Sequence, residues 1–155
     1  MTSAFSPTNR DSQKADEIAA FLADVPLFST LPMRHLKKFA MRFHEATYEA
    51  DEIIVEQGKP GVGLHIVVSG SARVMRTHID GEERQIDVLL PKHFFGELSL
   101  LDNEERSASV IAQEKTVCLG LRKYDFLDEL REEPEIAIEM MRELAHRFRR
   151  LVQNL

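Results

Sequence analysis

The sequence predicts a mainly β protein with flanking helices: an antiparallel β-roll (a jelly-roll-like barrel) between N-terminal helices and a C-terminal pair, short then long. Three observations predict this order. Apolar residues before His44 recur at helical spacing. Between about 46 and 122 they fall instead in short β-branched runs cut by turn dipeptides. From Tyr124 the helical period returns.

Residues 1–12 are small and polar without apolar periodicity, and are expected to form a flexible tail. From Gln13, Ala15, Ile18, Ala19 and Leu22 share one helical face, and the helix ends before Pro26. A second helix starts at Leu31-Pro32, with Pro32 suited to the first helical position, and carries Leu36, Phe39, Ala40 and Phe43 on one side. The strand-like runs are Glu52–Val55, Leu64–Val68, Ala72–Arg76, Gln85–Leu90, Ser107–Ala112 and Thr116–Leu121. Gln57-Gly58, Pro60-Gly61, Ser69-Gly70 and Asp80-Gly81 divide the first of them, and Asp80-Gly81 is the strongest hairpin signal. Tyr124–Arg131 reads as a short helix. Pro134 stops it and sits in the first turn of a longer one running towards Leu155. In that helix Ala137, Met141, Leu144, Phe148, Leu151 and Leu155 form a heptad seam. One domain is expected over 13–155, its β-roll about 46–122 and its C-terminal helices about 124–155.

With 155 residues, 43% hydrophobic and 30% charged, the chain has the profile of a soluble globular protein with room for one ordinary core. The net charge of −6 argues against nucleic acid or an anionic membrane as partner, while leaving room for a small anion held locally. No run approaches the roughly 18 apolar residues of a membrane helix, and the first residues lack the basic start and apolar core of a signal peptide. The single Cys118 can form no internal disulfide, so a cytoplasmic setting is expected. His35, His44, His65, His78, His93 and His146 show no metal-ligand spacing, and no metal is expected. No nucleophile–base pattern appears either, and the protein is expected not to be an enzyme.

The chemistry gathers between two strands, in Phe94-Phe95-Gly96-Glu97-Leu98-Ser99-Leu100-Leu101 followed by Asp102-Asn103-Glu104-Glu105-Arg106-Ser107-Ala108. Gly96 permits a close backbone approach. Glu97–Leu101 can form one helical turn whose free N–H groups favour an anion. Arg106 and Ser107 then return a planar fork of donors and a hydroxyl, suited to a phosphate. Glu97 would repel that phosphate unless it accepted from a sugar hydroxyl. The local chemistry therefore asks for a ligand with an anionic end and a hydroxyl beside it.

This stretch resembles the phosphate-binding cassette of the cyclic-nucleotide-binding domain family: Phe-Gly-Glu, small or apolar residues, a variable loop, then Arg-Ser-Ala. Val25-Pro26-Leu27-Phe28, Ile54–Gly58, Leu64–Gly70 and Tyr124-Asp125-Phe126 resemble the family's entry segment, its strands and turns, and the start of its penultimate helix. The resemblance implies cAMP or cGMP as ligand. It implies that Glu97 accepts the ribose 2′-hydroxyl and that Arg106 pairs with the cyclic phosphate. Ser107 would assist Arg106, with backbone groups of Gly96, Leu98, Ser99 and Ala108. Val74 and Val88 would flank the base, and Leu151, Val152 and Gln153 lie where family members cap it. One departure is Leu90-Pro91-Lys92-His93, where many members have a glycine-rich turn.

The implied function is a regulatory sensor whose C-terminal helices move on ligand binding and act in trans on a protein effector. The seam can pack against the roll or pair with a second copy, and its continuation to Leu155 favours a homodimer. The basic residues Arg142, His146, Arg147, Arg149 and Arg150 are offset upstream by Glu135, Glu139 and Glu143, which favours a solvated face over a nucleic-acid surface. The alternative is a fragment of a catabolite-activator-type transcription regulator or other larger protein. Direct DNA contact is not expected if the chain is complete, since a helix-turn-helix would have to follow Leu155.

Overall fold

The computed structural model describes residues 9–59, 63–96 and 107–155. These fall into two compact units, one taking the chain up to Arg42 together with Leu127–Leu155, the other Phe43–Phe126.

In the helical unit, α1 spans Asn9–Leu22 and α2 Met33–Ala40. Helix α1 begins within the stretch expected to be tail, because its first turn, Asn-Arg-Asp-Ser, carries no apolar residue to betray the period. Its predicted face is borne out at Ala19 and Leu22, both fully buried. Between the helices, the N–H groups of Val25, Phe28 and Leu31 each donate to the carbonyl three residues back, which buries Val25, Leu27, Phe28 and Leu31. Pro32 caps α2 from one position outside it, and its carbonyl accepts from the N–H groups of both His35 and Leu36. Phe28 meets Phe39 edge-on, centroids 5.3 Å apart. The C-terminal helices are α3, Lys123–Glu132, whose first turn belongs to the other unit, and α4, Pro134–Gln153. Pro134 stands in the first turn of α4, as expected. The Arg42 guanidinium bonds the buried Glu129 at 2.8 Å and lies 3.7 and 3.9 Å from Asp128 and Glu132. It thereby ties the end of α2 to α3.

Among its described residues, the other unit is an antiparallel roll of β1 (His44–Tyr48), β2 (Ile53–Val55), β3 (Gly63–Ser69), β4 (Ala72–Thr77), β5 (Glu83–Leu89), β6 (Phe94–Phe95), β7 (Ser109–Ala112) and β8 (Thr116–Arg122). The strands form two four-stranded sheets, ordered β1-β8-β3-β6 and β2-β7-β4-β5. The expected β-roll is present, but as two facing sheets that do not close into a barrel. Their inner faces meet in one cluster: Val67, Phe95 and Cys118 from the first, Ala72, Leu89 and Val110 from the second. The first sheet is buried on its other face too, at Leu64, Ile66, Leu119 and Leu121. Asp80-Gly81 does join β4 to β5, and a bulge between Val74 and Met75 shifts their register. No helix of the described residues is long and apolar enough to cross a membrane.

Candidate functional site

The predicted cassette is framed by β6 and β7. On the entry side Phe95 is buried, pairs with His65 across the sheet and stacks on its ring, centroids 5.0 Å apart and planes 12° from parallel. Gly96 follows at φ +89°, a conformation that side-chain-bearing residues rarely adopt. Of the other expected contacts, Glu97, Leu98, Ser99 and Arg106 lie outside the described residues. On the exit side Ser107 is exposed and Ala108 half-buried, and the chain runs from them directly into β7.

The turn before the cassette explains how the sequence departs from a glycine-rich pattern. Lys92 takes φ +74°. Its N–H donates to the Val67 carbonyl at 2.8 Å, and the His93 carbonyl accepts from the Val67 N–H at 2.9 Å. The imidazole of His93 closes the turn, its Nδ1 accepting from the Leu90 N–H at 3.1 Å. Lys92 thus carries the left-handed geometry that glycine adopts without strain, and His93 supplies the acceptor that holds it.

The two valines expected to flank a base stand apart. Strands β4 and β5 pair Ala72 with Leu89, Arg73 with Val88, and Val74 with Asp87. Paired residues share a face and neighbours alternate. Val74 therefore stands with Ala72 and Leu89 on the inner face, where it packs on the core cluster. Val88 stands with Arg73 on the outer face, where Arg73 bonds Asp51 at 3.2 Å. The register sets Val74 and Val88 on opposite sides of the sheet, so the two cannot flank one base together. Periodicity cannot distinguish the two faces of a strand whose neighbours are Asp87, Val88, Leu89 and Leu90.

One residue of this frame is invisible to motif reading. Gln57, which the sequence marks only as part of a turn, donates its backbone N–H to the Ser109 hydroxyl at 2.9 Å. Its side-chain amide grips the backbone of Thr77 both ways: Oε1 accepts from the N–H at 2.8 Å, and Nε2 donates to the carbonyl at 3.1 Å. Gln57 therefore fastens the β2–β3 turn to β4 and to the strand that receives the cassette. A polar residue before a turn glycine is the only signal the sequence carries for this.

Among the described residues, the roll has hollows of two sizes. The larger, about 640 Å³, lies at the β4–β5 hairpin against Gln57, Arg76, His78, Asp80 and Arg84. The smaller, about 170 Å³, lies on the inner face of the first sheet against His44, Tyr48, His65, Cys118 and Gly120. Burial pushes the Cys118 thiol up to about 11. Burial also raises the Tyr48 phenol, with smaller contributions from the negative charges of Cys118 and Glu52. A thiol so raised is protonated at neutral pH and behaves as a small apolar side chain.

Residues 45–133 match the model of the cyclic nucleotide-binding domain. The chain is 40% identical over 124 residues to the cyclic AMP receptor protein of Thermus thermophilus, covering 80% of this chain and 57% of that one. It is 33% identical over 115 residues to the cAMP-dependent protein kinase regulatory subunit of Blastocladiella emersonii, covering 74% and 28%. The chain thus spans less than two thirds of either relative. Among solved structures, the N-terminal domain of a transcriptional regulator from Streptomyces coelicolor superposes with a TM-score of 0.77 at 30% identity, covering 86% of this chain and 94% of that one. The roll, its flanking helices and these matches make the chain a member of the cyclic nucleotide-binding domain family.

Proposed function

We propose that the protein is a cyclic-nucleotide sensor that binds its ligand at the 96–108 cassette and passes the signal through α3 and α4 to a protein effector in trans. Membership of the family carries this reading. In it, Arg106 pairs with the cyclic phosphate and Ser107 adds a hydroxyl. The Glu97 carboxylate accepts from the ribose 2′-hydroxyl. Backbone groups of Gly96, Leu98, Ser99 and Ala108 complete the phosphate cradle, and Val74 lines the inner face beside the base. In this reading the site holds its ligand without breaking a bond, and the protein is a regulator of the cytoplasm and not an enzyme. Of the two nucleotides, cAMP is the expected one, because both relatives named above carry it in their names.

The output side of the reading rests on α4. Of the predicted seam, Met141, Phe148, Leu151 and Leu155 are exposed and Ala137 and Leu144 half-buried, while the buried residues of α4, Ile136 and Met140, lie beside it. An apolar row of that length, open to solvent, supports pairing with a second copy. A second reading is favoured by coverage: the same domain would be the sensing part of a transcription regulator resembling the Thermus relative, of which the chain spans 57%.

Calorimetric titration of the chain with cAMP and with cGMP tests the proposal. Saturable binding of either at micromolar concentration is expected, with cAMP the tighter. Absence of binding by both at near-millimolar concentration would overturn it.

A further inference from the structure

Helix α2 and the junction between α3 and α4 bring together three groups that sequence spacing keeps apart. An imidazole nitrogen of His35 and one carboxylate oxygen each of Glu133 and Glu135 all lie within 4.8 Å of one another. His35 is only 2% exposed, and its Nδ1 is buried without a hydrogen-bond partner among the described residues. A buried imidazole with an unsatisfied nitrogen is unfavourable unless something outside the chain completes its bonding.

The surroundings fit a cation. Glu133 faces Lys38 at 3.5 Å and Glu135 faces Arg34 at 3.9 Å. Both contacts are long and solvent-exposed, so neither competes strongly with a bound ion. The start of α4 works against a positive charge there. Two carboxylates outweigh that effect, since the half-charge of a helix end is smaller than either of theirs. The donor set is one imidazole and two carboxylates, which suits a borderline transition ion, whereas calcium and magnesium take oxygen ligands almost throughout.

We propose that His35, Glu133 and Glu135 bind one divalent cation of the zinc class per chain, with water completing its coordination. Ligand bonds of about 2.0–2.2 Å require the donors to draw in by roughly an ångström. Glu135, three-quarters exposed, is free to make that movement. The bound ion would pin α2 to Glu133 and Glu135, which flank Pro134 at the start of α4. It would therefore act on the junction through which a ligand signal leaves the roll. The ligands come from positions about a hundred residues apart, which is why no short metal motif marks them.

Metal-free protein titrated with zinc chloride, without nucleotide, tests this separately from the nucleotide site. Wild type should take up one zinc per chain and gain thermal stability from it. E133Q and E135Q, both surface changes whose folding is checked by their unmodified melting temperature, should bind at least about tenfold more weakly and lose the thermal gain. No stoichiometric uptake by wild type would overturn the proposal. So would equal affinity in wild type and both variants, which would assign the zinc to other histidines.

Discussion

At the scale of single residues, the chemistry of the cassette turns on Glu97, whose carboxylate we assign to a ribose hydroxyl. A charge-assisted hydrogen bond of that kind contributes about 1.5–3 kcal/mol. Glu97→Ala should therefore weaken cAMP binding roughly ten- to a hundredfold, yet leave the affinity for 2′-deoxy-cAMP unchanged. Equal losses for both ligands in parallel titrations would show that Glu97 does not touch that hydroxyl. Gly70 illustrates a structural requirement of the same scale. It sits at φ +84°, and an added Cβ would lie 2.5 Å from the Lys115 carbonyl oxygen and 2.6 Å from Thr116 Oγ1. The Thr116 hydroxyl already accepts from the Ser71 N–H at 3.2 Å, so it has no room to retreat. Gly70→Ala should cost about 2–4 kcal/mol in chemical denaturation; a loss under about 1 kcal/mol would contradict the close approach. Cys118 links burial to pH. Below pH 9 its thiol is protonated in both the folded and unfolded chain. Above that the unfolded chain, titrating near 9.0, sheds a proton that the folded chain keeps to about 11, so stability falls as pH rises through this window. The urea midpoint should decline over that range, and the decline should be shallower in Cys118→Ala.

At the scale of elements, the register of β4 and β5 decides which face of the sheet Val74 and Val88 each occupy. The hairpin was legible because Asp80-Gly81 stands between two alternating runs. The faces were not, because β5 runs out through Asp87, Val88 and Leu89 into Leu90 with no clean polar alternation. Strand β1 left no apolar signal at all: four of its five residues are exposed. It forms by pairing with β8, a long-range partner that local propensity cannot reveal. Strand β6 is two residues long and reads as the beginning of the cassette. Helices were easier, since α2, α3 and α4 start or stop at Pro32 and Pro134. Arg42 shows how two of them are joined. Its guanidinium holds a Glu129 side chain that is 3% exposed and whose second oxygen has no partner among the described residues. Arg42→Ala strands that carboxylate and should cost about 2–3 kcal/mol, less than a fully buried pair because Arg42 itself is partly solvated. Thermal melts check it, and an unchanged melting temperature would mean the pair is dispensable. On α4, the paired change Phe148→Glu with Leu151→Glu places charge on the exposed seam. It should leave the melting temperature within a few degrees at low protein concentration and shift a dimer to monomer in sedimentation. A wild type that is already monomeric at tens of micromolar would refute pairing through this helix.

At the scale of the whole molecule, the proposed sensor has an input, the cassette, and an output, α4. The input was legible in the sequence because its chemistry is contiguous: Gly96, Glu97, Arg106 and Ser107 lie within a dozen residues. The bonds that hold the strand after it were not, since Gln57, Thr77 and Ser109 lie far apart in the sequence. The output was legible only as a helical seam, because exposure of Phe148 and Leu151 depends on what the rest of the chain leaves uncovered. The central claim is that the chain binds a cyclic nucleotide through the Arg106 cassette. Calorimetric titration of cAMP into wild type and Arg106→Ala, side by side, tests it most directly. Saturable one-to-one binding by the wild type is expected, with a loss of roughly ten- to a hundredfold or more in the variant, its fold intact. Equal affinity in the two proteins, or no heat of binding in the wild type, would contradict it.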